Sequence, residues 1–319
     1  MKCLITGGAG FIGSHIVRRV LSEGHEAVVV DNFSTGRRQN LAAVADDVEF
    51  VEGDIRSYER VHTAMRGCQL VLHQAALPSV PRSVQDPLTS TDVNVTGTLN
   101  VLLNARDAGV QRVVMASSSS IYGANPSLPK HEDLAPAPMS PYAVSKLAGE
   151  GFGRSFWHVY GLECVALRYF NVFGPHQDPQ SEYAAVIPKF MAACLDEQAP
   201  TIFGDGEQSR DFTFVDNVVD ANMLALAAPA EVAGRVYNIA CGERVTLNEL
   251  LNRLRELTGS SVMADHQADR AGDVRHSLAD ISRARAELGY EPNVELHEGL
   301  RRTLEAFERL PTPTVSGSP

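Results

Sequence analysis

Five short apolar runs, rich in β-branched residues, recur along the first half of the chain: CLIT (3–6), AVVVD (27–31), QLVLH (69–73), RVVMA (112–116) and ECVALRY (163–169). None alternates apolar with polar residues. A run without alternation suits a strand buried on both faces, as strands of parallel sheets are. Stretches with helical periodicity lie between them, at about 11–23, 57–66, 85–108 and 141–160. Repeated strand–helix units on short connections predict an α/β fold built on a doubly wound parallel sheet. The apolar runs are too short and too β-branched for an all-helical chain. After about residue 170 the rhythm loosens. Helical patterns near 183–196, 215–228, 246–258 and 296–308 are separated by stretches such as Phe203-Gly204-Asp205-Gly206.

Composition removes several classes of function. Hydrophobic residues are 44% of the 319, enough for a sizeable core, so wholesale disorder is excluded. A net charge of −11 argues against a protein that coats nucleic acid or a membrane surface. No apolar run approaches the ~18 residues of a membrane span, and Met1-Lys2-Cys3-Leu4-Ile5-Thr6 runs straight into glycines without a leader-like stretch. The five cysteines include no CxxC pair, and no HExxH or His–Cys cluster accompanies the ten histidines, so neither a disulfide framework nor a metal site is expected. His73, ending an apolar run, reads as a hydrogen-bonded core residue. The expectation is a cytoplasmic enzyme.

The first strand ends in Thr6-Gly7-Gly8-Ala9-Gly10-Phe11-Ile12-Gly13, with Gly7, Gly10 and Gly13 at three-residue spacing. Glycine permits a tight turn and close backbone approach to a pyrophosphate, which then sits at the following helix N-terminus. A glycine turn needed only for packing would not require an acid at the end of the second strand, where Asp31 stands. A carboxylate there bonds the adenosine ribose hydroxyls and repels a 2′-phosphate. That favours NAD over NADP, with Arg37 and Arg38 nearby as the opposing signal. Residues 1–170 then form a dinucleotide-binding Rossmann domain, with about 212–240 returning to it. Residues 171–309 form a smaller mixed α/β substrate domain, and 310–319 form a disordered tail.

Further on, Ser140-Pro141-Tyr142-Ala143-Val144-Ser145-Lys146 puts Tyr142 and Lys146 on one face of a helix whose start Ser140 and Pro141 mark. A free tyrosine, with a pKa of roughly 10, supplies little phenolate at neutral pH. A neighbouring ammonium and a positive nicotinamide ring favour the phenolate, making Tyr142 a usable base. Ser117-Ser118-Ser119-Ser120 follows a buried strand at the sheet edge where ligands bind, so a hydroxyl there can pass a proton between substrate and tyrosine. The four serines leave open which one does so.

Together TGGAGFIG, Asp31, HQAA (73–76), SSSSIYG (117–123), SPYAVSK (140–146) and RYFNVFGP (168–175) resemble the extended short-chain dehydrogenases/reductases. Within them the chain is similar to the UDP-hexose 4-epimerases, from residue 1 to about 305. The resemblance implies a tightly held NAD that takes a hydride from the sugar C4 and returns it to the other face of a transient 4-keto sugar. It assigns Tyr142 as the base, Lys146 to the nicotinamide ribose and Ser118 as the catalytic serine. Besides Gly7, Gly10, Phe11, Ile12, Gly13 and Asp31, it gives the cofactor Asn32, Ser34, Thr35, Gly36, Asp54, Ile55, Gln74, Ala75, Ala76, Asn94 and Tyr169. The substrate falls to Ser79, Arg82, Ser118, Ser119, Asn171, Ala185, Val186, Phe203, Arg210, Arg270, Asp273 and Ser277. It also implies a homodimer through the helices near 85–108 and 141–160. The pattern departs slightly at Phe33, where leucine is commoner.

Sugar-nucleotide 4,6-dehydratases carry an Asp-Glu pair after the catalytic hydroxyl residue. Ser119 and Ser120 stand there and cannot perform the proton transfers of elimination. Among epimerases, the resemblance places Ser277 as a small gatekeeper with room for an acetamido group, and Ala185 adds space. Those residues favour UDP-GlcNAc and UDP-GalNAc, with UDP-glucose and UDP-galactose second. A UDP-glucuronate 4-epimerase, with Arg82 or Arg275 meeting the carboxylate, stays open. So does a silent NAD-binding sensor or scaffold, though such proteins typically lose the Tyr–Lys pair retained here.

Overall fold

In the computed structural model, which describes residues 1–178, 185–268 and 274–309, the apolar runs form adjacent parallel strands. These are β1 (Lys2–Thr6), β2 (Glu26–Asp31), β3 (Val48–Glu52), β4 (Leu70–His73), β5 (Arg112–Ser118) and β6 (Glu163–Tyr169). Short strands follow: β7 (Val172–Phe173), β8 (Thr201–Phe203), β9 (Ser209–Arg210), β10 (Thr213–Phe214), β11 (Val236–Ile239), β12 (Val245–Thr246) and β13 (Asp265–Gln267). The main sheet has seven strands in the order β11-β6-β5-β4-β1-β2-β3, all parallel.

The helices are α1 (Phe11–Ser22), α2 (Tyr58–Met65), α3 (Val80–Gln85), α4 (Pro87–Thr91), α5 (Gly97–Asp107) and α6 (Pro141–Tyr160), then α7 (Val186–Leu195), α8 (Val215–Ala227), α9 (Leu247–Thr258), α10 (Ser282–Leu288) and α11 (Leu296–Glu308). Alternate residues of each strand enter opposite cores. Ile5, Val29, Leu72 and Val114 meet Ile16, Val17 and Val20 of α1 and Val218 and Ala221 of α8. Leu4, Val28, Val71 and Val113 meet Val61 and Met65 of α2, Leu102 of α5 and Phe156 of α6. That two-sided burial is why these runs do not alternate.

Two features depart from the sequence expectation. The helix expected at 85–108 is broken. Pro87 disfavours helical geometry at the residue before it, and Asp86 adopts φ −133° and caps α4 by accepting from Thr89 N at 3.0 Å. A single wide turn over Asp92–Thr96 then leads into α5. The strand β3, VEFVE, pairs only with β2 and is half-exposed, so it carries no continuous apolar run.

The remaining strands pair in a smaller mixed assembly: β10 with β7, β12 antiparallel with β9, and β13 with β8. No helix among the described residues is long and apolar enough to cross a membrane.

Candidate active site

The sheet order reverses direction at β1, whose neighbours are β2 and β4, and α/β ligands bind outside the carboxyl ends of strands at such a point. There Gly7 adopts φ +69°, and a Cβ on it would lie 2.7 Å from Ala75 N. A Cβ on Gly13 would lie 2.1 Å from Gly7 O. Gly10 donates its N–H to Gly7 O at 3.0 Å and caps α1. Bare backbone therefore runs under the α1 N-terminus, whose free N–H groups and dipole favour an anion.

Asp31 ends β2 buried, accepting from Ala9 N at 3.0 Å and Phe33 N at 2.8 Å. Burial raises its carboxyl above the ordinary 3.8, against the pull of those N–H groups. The two arginines that could have answered a 2′-phosphate are engaged elsewhere, Arg37 with Asp178 and Arg38 with Glu52 and the Phe33 ring.

A cleft of about 220 Å³ runs from this cradle, lined by Gly7, Gly10, Phe11, Ile12, Gly13, Asp31, Asn32, Ser34, Thr35, Asp54, Ile55, Gln74, Ala75, Ala76, Tyr142, Lys146 and Tyr169. Gly36 and Asn94 are not on its wall. Gly36 packs against Ala9 and the Asp31 carboxylate, and Asn94 grips the Leu77 backbone, accepting from its N at 2.8 Å and donating to its O at 3.1 Å. Gln74 and Asn222 both take the Tyr169 hydroxyl within 3.2 Å. A side-chain-free pyrophosphate cradle, a buried carboxylate at the second strand and an ammonium at the far end fit NAD.

At that far end Ser140 caps α6, accepting from Ala143 N at 3.2 Å, and Pro141 occupies the first turn. Tyr142 and Lys146 thus share one stripe of the helix. Lys146 Nζ donates to Ala116 O at 3.0 Å and lies 5.9 Å from the Tyr142 ring centre. Burial lowers the Lys146 pKa to about 8, which leaves it mostly cationic at neutral pH.

The sequence expectation for Tyr142 rests on the ammonium together with the positive nicotinamide ring. Burial pushes the Tyr142 phenol above 10, and the hydrogen bond with Ser118 pulls it back only in part. The ammonium alone therefore does not deliver a phenolate. Among the four serines, Ser117 reaches Glu150 Oε1 at 2.6 Å, Ser118 meets Tyr142, and the buried Ser120 Oγ has no partner. Ser119 opens the short turn after β5.

The residues expected at the substrate lie on neighbouring elements. Ser79 caps α3 at φ +100°, accepting from Arg82 N at 3.2 Å. Asn171 donates to Asp211 O at 3.2 Å; Ala185 precedes and Val186 begins α7. Phe203, Arg210 and Ser277 gather in the small assembly: Ser277 N bonds Ser209 O at 3.0 Å, and Arg210 bonds Arg275 O at 3.2 Å. Arg270 and Asp273 lie outside the described residues. Of the groups the sequence did not single out, Gly53, Pro78 and Val93 line the cleft; of the four serines Ser117 is on its wall and Ser118 is not. His73 is held between Thr6 Oγ1 at 2.7 Å and Thr98 Oγ1 at 2.9 Å, and burial lowers its pKa to about 3.

The sheet and this cleft define a dinucleotide-binding enzyme. The chain belongs to the NAD dependent epimerase/dehydratase family, whose model matches residues 3–240. The UDP-glucose 4-epimerase of Mycolicibacterium smegmatis is 41% identical over 316 residues, covering 96% of this chain and 98% of its own. The crystal structure of UDP-glucose 4-epimerase from Thermotoga maritima with UDP-glucose superposes with a TM-score of 0.92 at 38% identity, covering 97% of this chain and 99% of that one. The UDP-N-acetylglucosamine 4-epimerase from Methanobrevibacter ruminantium, in complex with UDP-N-acetylmuramic acid, gives a TM-score of 0.91 at 38% identity, covering 96% and 98%.

Proposed function

We propose that this chain is an NAD-dependent UDP-hexose 4-epimerase that interconverts UDP-GlcNAc and UDP-GalNAc, and also UDP-glucose and UDP-galactose. The observation that carries the reading is Tyr142 and Lys146 on the wall of a cleft fitted to NAD, with Ser118 beside Tyr142. Bound NAD supplies a hydride acceptor and donor for the sugar C4, together with a positive ring. Tyr142 takes the proton of the 4-hydroxyl and returns it, so no proton is gained or lost over the cycle. Ser118 bridges the two oxygens and favours the phenolate. Lys146 holds ribose hydroxyls and adds its charge to that of the ring; the two together offset the burial that holds Tyr142 up. Ser119 and Ser120 offer no acid pair for elimination.

Choice of sugar rests on Ser277, small, half-buried and fixed by its backbone to Ser209. In the uronate alternative the sugar carboxylate would compete for Arg275 with Asp205, which pairs with it at 2.7 Å on the surface. Replacing Ser277 by tyrosine is expected to abolish turnover of acetamido substrates while sparing UDP-glucose. Equal loss on both in parallel rate assays would remove Ser277 as gatekeeper.

We place residues 1–170 and about 212–240 in the NAD-binding domain and the rest of 171–309 in the UDP-sugar domain. A cytoplasmic homodimer fits this reading, through the helices near 85–108 and 141–160. Leu88, 83% exposed, and Val144 and Val159 of α6, 53% and 65% exposed, leave apolar surface on those segments.

The test is a proton NMR time course of purified protein with UDP-GlcNAc and no added NAD. Growth of the UDP-GalNAc anomeric signal to a constant ratio is expected. A flat trace with UDP-GlcNAc and turnover of UDP-glucuronate would replace the substrate assignment. Silence with every UDP-sugar, NAD being bound, would favour a sensor.

A further inference from the structure

Tyr142, Lys146 and Glu150 follow one another at four-residue steps along α6, so all three lie on one stripe. Glu150 does not reach the cofactor cleft. Its carboxylate is buried, with 6% of the side chain exposed, and receives Arg168 Nε at 2.8 Å and Arg168 Nη2 at 2.7 Å from β6. The same Oε1 takes Ser117 Oγ at 2.6 Å, from the end of β5. The Arg168 side chain is 4% exposed, and its carbon lies 4.8 Å from the Tyr122 ring centre. One carboxylate thus ties a helix to two strands, and the planar Arg fork fixes the direction in which it faces.

We propose that Glu150 is a positioning residue, which sets the end of β5 against the first turn of α6, and so Ser118 against Tyr142, through Ser117 and Arg168. Ser118 is the last residue of β5, and the chain leaves the sheet directly after it in a short turn. Beyond that point ladder hydrogen bonds no longer hold the backbone. Ser117, one residue earlier, anchors it sideways to α6. Apolar residues of the same volume would serve packing equally well; a directed, three-way carboxylate also fixes angle. The inference rests on the reading of Ser118 and Tyr142 as the proton-transfer pair.

The test uses Ser117→Ala, which removes one leg and leaves the Arg168–Glu150 pair intact, beside Glu150→Gln. Tyr142 is titrated by phenolate absorbance, each background being subtracted against its own Tyr142→Phe counterpart. Ser117→Ala is expected to keep its NAD and its KM for UDP-glucose and to lose about tenfold in kcat, as a small misplacement of reacting groups does. Its Tyr142 titration is expected to move upward toward that of Ser118→Ala, with no further move when the two changes are combined. Glu150→Gln, where it folds, is expected to move it the same way. A Ser117→Ala titration at the parent position, while Ser118→Ala is displaced, would overturn the proposal, as would kinetic losses that simply add. A parent protein silent on every UDP-sugar would instead count against the catalytic reading, and the titration would still decide the role of Glu150.

Discussion

Tyr142→Phe is expected to bind NAD and UDP-sugar as the parent chain does and to lose roughly 10²–10⁴ in turnover, the usual worth of a positioned general base. The phenyl ring keeps the packing of the first turn of α6, and Lys146 keeps its bond to Ala116 O at 3.0 Å. What goes is the one oxygen that Ser118 and the substrate hydroxyl share. The loss corresponds to about 3–5 kcal/mol of transition-state stabilisation, so it falls on kcat rather than KM. Retained NAD, measured after denaturation, together with the NMR rate, separates the outcomes. Turnover within a few-fold of the parent would remove Tyr142 from the chemistry.

The largest expected effect on stability is at Asp211. Its fully buried carboxylate accepts from Cys241 N at 3.0 Å and Gly242 N at 3.1 Å, just after β11, and from Ala279 N at 3.2 Å. Asp211→Ala strands one buried donor, Ala279 N, and two part-buried ones, Cys241 N and Gly242 N. At about 1–3 kcal/mol for a buried unsatisfied group, with the two part-buried ones largely relieved by water, the cost is on the order of 2–4 kcal/mol. In a chain of this size that lowers Tm by ~5 °C. Asp211→Asn is expected to recover little, because in either orientation its NH2 faces an N–H that needs an acceptor. Thermal unfolding of the two variants decides the matter; an asparagine variant within about 1 kcal/mol of the parent would refute the three-donor account.

What the sequence reveals and what it conceals follow from where each signal resides. The strands β1, β2, β4, β5 and β6 are buried on both faces, so each writes an unbroken apolar run that is legible alone. The strand β3 is half-exposed, and β11 is four residues long, VYNI; neither differs locally from a loop. The cofactor cradle is legible because glycine is required within one turn, and Tyr142 and Lys146 because helical spacing fixes their alignment. Glu150, Arg168, Asp211 and Asn222 are not legible. Each is a polar residue whose partners lie on distant segments, and a charge on a helix reads as solvent-facing until the fold buries it. The serine run shows the same limit, since only the direction of β5 separates Ser117, turned to Glu150, from Ser118, turned to Tyr142.

The late arrival of β11 bears on how the molecule is made. As the chain leaves the ribosome, six strands of the main sheet are complete at Tyr169, yet β6 then has a bare outer edge until Val236–Ile239 emerges. An open row of amide and carbonyl groups recruits other chains, so the partly made chain is exposed to aggregation in that interval. The segment synthesised during it carries β7, α7, β8, β9, β10 and α8, so the main sheet is closed only after those elements exist, and β12, α9, β13, α10 and α11 follow it. Local unfolding of that later segment would therefore reopen the sheet, and protection of the β6 amides against hydrogen exchange should fall together with that of β11.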